Sequence, residues 1–425
     1  MNVGGYRDTI LSASFLIWYV LLTFPILTVV GDVGEGVGPV PLYQVLGAVL
    51  FLAAAAVAYR YGRPIGGYDH FQASIIVIIF LSLGLQLHDD EVSIMIGVAY
   101  TIALIGTILS LSLISTMPAD VIAKCLGRTA IALVAFGILA IAIFGWPEER
   151  HLGPVHANAF GSAMLVAFIF SLFGEGALFF CVRIACFILA ASVSSRFAMI
   201  GCLLALVVFE VTSNAVGLKI LVAGLLAAAC FVVFNEQVVS ILALDDPSRN
   251  VSSGFTGRDE HWLSSLRAIE NNPLGMGFKR PPLDAWGHNG YLKILVEFGV
   301  VGGGLIIAAV VSIVIRALHE AAAGFRKGDR FQRLASARAA GLVVLTFATF
   351  FQPQLLNLGD VHGISFMLLL FWRGRASDRR PSLSLRGQID YGPARAAAPM
   401  ILAAPVSQMP AGYNPSRHTG FTDRE

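Results

Sequence analysis

Apolar runs close to the length of a bilayer crossing recur along the chain, and they constrain its fold more than any other feature. A helix needs about 20 mostly apolar residues to cross a hydrocarbon core of about 30 Å. Within that core every backbone polar group must pair internally, which leaves helices and closed barrels. These runs are continuous, as in TAIALVAFGILAIAIFGW at 129–146, and do not alternate, so the choice is helix. The chain then divides into about 12 spans. They lie near 9–30, 41–59, 71–87, 93–116, 129–146, 155–173, 177–193, 196–211, 215–234, 289–315, 336–356 and 360–373. The last is short enough to be re-entrant. The expected fold class is an all-α polytopic membrane protein.

Composition agrees. Hydrophobic residues make up 56% and charged residues 13% of the chain, where soluble domains carry about a quarter charged. A net charge of +2 gives no electrostatic case for nucleic acid. The run at 9–30 lacks a small-residue cleavage site and reads as a membrane helix, not a removed signal. Of the five cysteines, Cys181, Cys186, Cys202 and Cys230 fall in apolar runs, leaving Cys125 outside. Their spacing implies neither disulfides nor zinc.

Lysine and arginine placement sets the expected orientation. With a cytoplasmic N-terminus, Arg60, Arg63, Lys124, Arg128, Arg316, Arg326, Lys327, Arg330, Arg333 and Arg338 fall inside, and acidic loops holding Asp32, Glu35, Asp89 and Asp90 fall outside. Both termini are then cytoplasmic. The expected organisation is helices 1–9 in residues 1–234, an outer loop at 235–288, helices 10–12 in 289–373 and a disordered basic tail at 374–425. Within the loop, 258–270 reads as an amphipathic surface helix with Trp262, Leu263, Leu266 and Ile269 at helical spacing. Asn272-Pro273 and Gly275-x-Gly277 end it.

Polar residues with chemical potential gather near this loop. His288 and Asn289 stand where the loop meets an apolar helix, and on a continuous helix His288, Leu292, Leu295, Gly299 and Gly302 share one face. The glycines would let a neighbouring helix pack closely below the imidazole. A histidine in that position commonly anchors a helix end; it can also take a proton from a sugar hydroxyl. Arg196, beside Ser194 and Ser195, sits at an outer membrane edge, and Arg258 opens the loop helix against the helix dipole. Snorkelling or a solvated loop charge would account for either; a guanidinium also binds phosphate in a fork. Arg183 is expected to snorkel or to pair with Glu175 or Glu210. Lys293 and Glu297, four apart, are expected to neutralise each other. No Walker loop, dinucleotide fingerprint, HExxH or nucleophile elbow is present.

The stretch His288-Asn289, nine residues, then Gly299-Val-Val-Gly302 resembles the signature of the O-antigen ligase and Wzy-type polysaccharide polymerase superfamily. GRDEHW followed by NPLGMGF resembles the family's loop segment, and SSRF resembles its outer-edge arginine. The resemblance covers about residues 70–373; the compact loop and the basic tail depart from the pattern. It implies a metal-independent, cofactor-free, GT-C-like glycosyltransferase in a bacterial inner membrane, working on the periplasmic face. The donor would be a glycan on undecaprenyl diphosphate, and the acceptor a glycan hydroxyl. His288 would orient or deprotonate the acceptor, Arg196 and Arg258 would hold the diphosphate, and Asn289, Gly299, Gly302 and Trp262 would support them. Bilayer lipids, a chain-length regulator and a flippase are the further partners it suggests. The compact loop favours a polymerase of exopolysaccharide or O-antigen. A ligase delivering polymer to lipid A–core or a protein stays open, as does a secondary transporter or flippase of an anionic substrate.

Overall fold

A computed structural model describes residues 119–147, 151–152, 155–213, 258–277, 289–323, 329–352, 355 and 361–372. The elements are α1 (Ala119–Phe144), β1 (His151–Leu152), β2 (Val155–His156), α2 (Ala157–Ser171), α3 (Ala177–Ser192) and α4 (Arg196–Ser213). They continue with α5 (Arg258–Asn271), α6 (Gly290–Ala323), α7 (Asp329–Ala348) and α8 (Val361–Phe371). The described residues are thus helical but for β1 and β2, which pair antiparallel in a two-residue hairpin between α1 and α2. This hairpin is the one departure from the expected all-α class. The spans expected at 9–30, 41–59, 71–87, 93–116 and 215–234, and the tail at 374–425, lie outside the described residues.

Three described helices are long and apolar enough to cross a membrane: α1 with 26 residues, α4 with 18 and α6 with 34. Their outward positions are apolar, including Ile138 and Ile143 on α1, Leu203 and Val207 on α4, and Leu305 and Ile315 on α6. Such a surface suits lipid and would be a liability in water. The expected spans 129–146, 155–173, 177–193, 196–211, 289–315, 336–356 and 360–373 each meet a helix. The boundaries differ most at α1, which begins early enough to include Lys124 and Arg128, and at α7, which begins at Asp329.

The core is built around α2. Nearly every residue of it is buried, as expected for a helix apolar on all sides. α1, α3, α4, α7 and α8 pack on it. Glycines allow close approach where side chains of α2 protrude: a Cβ at Gly201 of α4 would stand 2.8 Å from Leu165, and one at Gly341 of α7 would stand 2.7 Å from Ile169. Every residue of α8 is buried. Its 11 residues reach about 16 Å, half a hydrocarbon core.

Polar contacts fix which ends of the helices lie together. Gln332, near the start of α7, donates to the carbonyls of Thr212 and Ser213 at the end of α4 (3.2 and 3.1 Å). Arg333 stacks over Phe209 and donates to Gly174 O at 2.8 Å. α4 and α7 share an extensive contact, so they run antiparallel. The connection at 172–176 between α2 and α3 lies at this same end. Arg183 donates to Ser171 O and Gly174 O there (3.0 and 3.2 Å). It therefore satisfies carbonyls at the end of α2, and of the two expected acidic partners Glu210 is the one whose charge acts on it. Glu175 instead lies 3.7 Å from Arg333. Near the same end, Arg338 of α7 binds Glu320 of α6 and Leu369 O of α8, each at 3.0 Å.

Candidate functional site

The opposite end of the bundle gathers the starts of α2, α4 and α6 with the ends of α3 and α7. α4 begins there because α3 turns back at once. Ser194 takes a left-handed φ of 50°, Ser195 N–H donates to Ala190 O at 3.1 Å and Arg196 N–H to Ser194 O at 3.1 Å. A serine in the left-handed region is uncommon, and this one sets the angle at which half-buried Arg196 leaves the turn. Ser195 is 2% exposed, and its hydroxyl lies against Gly161 of α2 with no hydrogen-bond partner among the described residues. A Cβ at Gly161 would overlap that hydroxyl. Gly161→Ala is therefore expected to lift the Arg196 turn off α2. The overpacking should cost about 1–3 kcal/mol, read as a lower thermal midpoint in detergent. Adding Ser195→Gly should recover most of it; no recovery would refute the contact.

α6 starts at the same end. Asn289 is buried, and its Oδ1 accepts from the backbone N–H of Tyr291 (2.9 Å) and Leu292 (3.2 Å). It is an N-cap, which satisfies amides that the first helical turn cannot. Gly290 N–H donates to Thr349 O at 2.8 Å, and the Tyr291 hydroxyl donates to Thr346 O at 2.7 Å. Tyr291 also packs against Phe350, with ring centroids 4.6 Å apart. The start of α6 is thus pinned to the end of α7, which the antiparallel pairing sets beside the start of α4. Asn289 and Arg196 occupy one end of the molecule. His288 itself lies outside the described residues.

The expected continuous face from His288 to Gly302 does not exist. Gly299 has φ 74° and ψ 175°, which breaks α6 into 290–298 and 300–323. In an unbroken helix Val300 N–H would donate to Val296 O, and Val301 N–H to Glu297 O. Here residues 273–277 enter the gap. Met276 N–H donates to Val296 O (2.8 Å), Gly277 N–H to Glu297 O (3.0 Å), and Val300 N–H donates to Pro273 O (2.8 Å). The inserted segment supplies partners for groups that the break exposes. Backbones meet so closely that a Cβ on Gly275 would come within 2.5 Å of Gly299 N, and one on Gly299 within 2.6 Å of Pro273 O. Gly303 faces the first half of its own helix, where a Cβ would lie 2.8 Å from Ile294 O. These glycines do permit close packing, but of α6 on itself and on the incoming loop, not of a neighbouring helix below the histidine. Gly302 is half-buried.

Lys293 and Glu297 lie in the first half of α6, both buried, with Nζ and Oε1 3.9 Å apart, as their spacing suggested. α5 begins at Arg258 as expected; the Arg258 side chain lies outside the described part. Its apolar residues split between two faces. Trp262 and Ile269 are half-buried with fully buried Ser265, while Leu263 and Leu266 point outward, 54% and 45% exposed. Two outward leucines beside a membrane-spanning helix suit the bilayer surface.

Arg196, buried serines and several helix starts therefore share one end. The positive poles of α2, α4 and α6 face that end, which favours an anion there. Among the described residues no cluster of histidine, cysteine, aspartate or glutamate could hold a metal ion. Sequence reasoning missed the Asn289 cap and the insertion at Gly299. The first was within reach of the rule that Asn precedes a helix; the second is a long-range backbone contact without a local pattern.

Residues 176–307 match the protein-family model described as O-Antigen ligase. The matched stretch runs from the turn before α3 into α6 and contains Arg196, Arg258, Trp262, His288, Asn289, Gly299 and Gly302. It agrees with the resemblance carried by the motifs; the chain is thus similar to O-antigen ligases over this stretch, and its apolar helices suit an integral membrane protein. Comparison with curated proteins gives no match.

Proposed function

We propose that the protein is a polysaccharide polymerase of exopolysaccharide or O-antigen, a GT-C-like glycosyltransferase of the bacterial inner membrane with its site on the periplasmic side. The observation that carries this reading is the match of residues 176–307 to the O-antigen ligase family. The orientation rests on charge. Lys124, Arg128 and Arg333 belong to the end remote from Arg196, and basic residues favour the cytoplasm. The Arg196 end then faces the periplasm.

In the proposed reaction the acceptor sugar hydroxyl attacks the anomeric carbon of a glycan on undecaprenyl diphosphate. The bond from that carbon to the phosphate oxygen breaks, with inversion. His288 takes the hydroxyl proton, and the diphosphate leaves with its charge held by Arg196 and Arg258. Guanidinium suits this role because it stays protonated and presents parallel donors to phosphate oxygens. Helix starts at the same end add to the field that the leaving group meets. Trp262, Asn289, Gly299 and Gly302 support these groups; Asn289 does so by capping the helix that begins beside His288.

The name of the matched family favours a second reading, a ligase that moves finished polymer to lipid A–core or a protein. Electrophoresis of envelope glycans and secreted polysaccharide from a strain lacking the gene separates the two. Single repeat units remaining on lipid A–core or on the carrier are expected for the polymerase. Full-length polymer stranded on undecaprenyl diphosphate would make the protein a ligase. Unchanged glycans would remove the transferase reading and turn attention to transport.

A further inference from the structure

We propose that the insertion of residues 273–277 into the break at Gly299 sets where α5, and with it Arg258, stands relative to the start of α6, and that Gly275 and Gly299 are positioning residues of the transfer site. The inference rests on the reading of Arg258 as a diphosphate clamp. Among the described elements α5 packs chiefly against α6, and the insertion carries backbone bonds on both sides of the break. The first half of α6 is itself fixed to the end of α7 through Gly290 and Tyr291. A continuous path therefore runs from the bundle, through 290–298, across the insertion, to α5.

The path acts as a lever. α5 has 14 residues, so Arg258 stands about 20 Å from the insertion along the helix axis. A tilt of about 10° at the insertion would move it by roughly 3 Å. Misplacement by about 1 Å can lower a rate on the order of 10²-fold. The insertion is built to resist such a tilt. Its backbone atoms approach so closely that only glycine fits at Gly275 and Gly299, and the carbonyls it satisfies belong to Val296 and Glu297, immediately before the break. The buried Lys293–Glu297 pair braces that same turn of helix.

The test is a coupling experiment on the full chain in lipid nanodiscs, with a synthetic lipid-diphosphate-linked repeat unit as substrate. kcat and KM are measured for Arg258→Lys, Gly275→Ala and the double variant. Gly275→Ala is expected to lower kcat/KM on the order of 10²-fold. Arg258→Lys alone should cost on the order of tenfold or more, yet less than about threefold when added to Gly275→Ala, because the clamp is already displaced. A purely structural role would reduce the amount of active enzyme and leave the Arg258→Lys factor whole, and that result would overturn the inference. So would wild-type kcat/KM in Gly275→Ala with Arg258→Lys impaired, which spares the clamp reading. Wild-type kinetics of Arg258→Lys would remove clamp and inference together. If Gly275→Ala does not accumulate, Gly277→Ala replaces it in the same cycle. At φ 97° Gly277 is strained by a Cβ, and the same loss of the Arg258→Lys factor is expected; a factor left whole overturns the inference.

Discussion

His288→Ala is expected to lower transfer by about 10²–10⁴-fold, the range that a positioned general base supplies. Arg196→Ala should lower it on the order of 10²–10³-fold, as for loss of one preorganised group at the developing charge. The two losses have different physical origins. Without the imidazole, the attacking hydroxyl keeps its proton until late, whatever the quality of the leaving group. Without the Arg196 guanidinium, the departing diphosphate faces a site where Arg258, hydroxyls and helix starts remain but one of the two full positive charges is gone. The Arg196 side chain leaves a turn held by Ser194, Ser195 and Gly161, so the truncation should leave α4 in place. Transfer of a lipid-diphosphate-linked repeat unit, measured at equal amounts of membrane-inserted protein, checks both. Wild-type rates in both variants would remove the proposed site.

Much of the helical layout is legible from apolar runs, because lipid enforces a rule that applies residue by residue. Span edges at 157, 177, 196 and 290 follow the points where the runs begin. The Lys293–Glu297 pair is legible from spacing alone, since the first half of α6 is regular. Arg183 is legible only in part: Glu210 acts on its charge as its acidic surroundings suggested, but it donates to carbonyls at the end of another helix, and sequence carries no mark of which carbonyls a helix leaves open in space. The largest discrepancy is the face running from His288 to Gly302. Periodicity treats Gly299 as one more small residue on a helix, whereas its backbone is fixed by residues 273–277, far along the chain. Both partners were visible as glycine-bearing motifs; that they meet was not. Arg196 and His288 stood out as polar residues at membrane edges. That Arg196 and the neighbour of His288 share an end required the pairing of α4 with α7.

Gly299→Ala is expected to be among the most destabilising single substitutions in the described part of the chain. Alanine at φ 74° and ψ 175° enters a region open almost only to glycine, which costs about 1–3 kcal/mol. The new methyl would also occupy the space of the Leu274 and Pro273 carbonyls, so residues 273–277 must withdraw. Three backbone bonds across the break go with them, each worth about 0.5–1.5 kcal/mol net. The combined loss is roughly 2.5–7.5 kcal/mol. Thermal unfolding in detergent should show it as a large fall in midpoint, and hydrogen exchange should show lost protection at the amides of Met276, Gly277 and Val300. Gly304→Ala is the control on the same helix. Among the described residues no atom outside its own turn of helix lies within 4 Å of its Cβ position, and alanine is about 1 kcal/mol more favourable than glycine inside a helix, so stability should hold or rise. If both substitutions behaved alike, the break would be an ordinary helical position and the inserted loop would not hold it open. If only Gly299→Ala loosens the loop, α6 is two helices by design of its backbone, with the loop that carries Arg258 fastened at the joint.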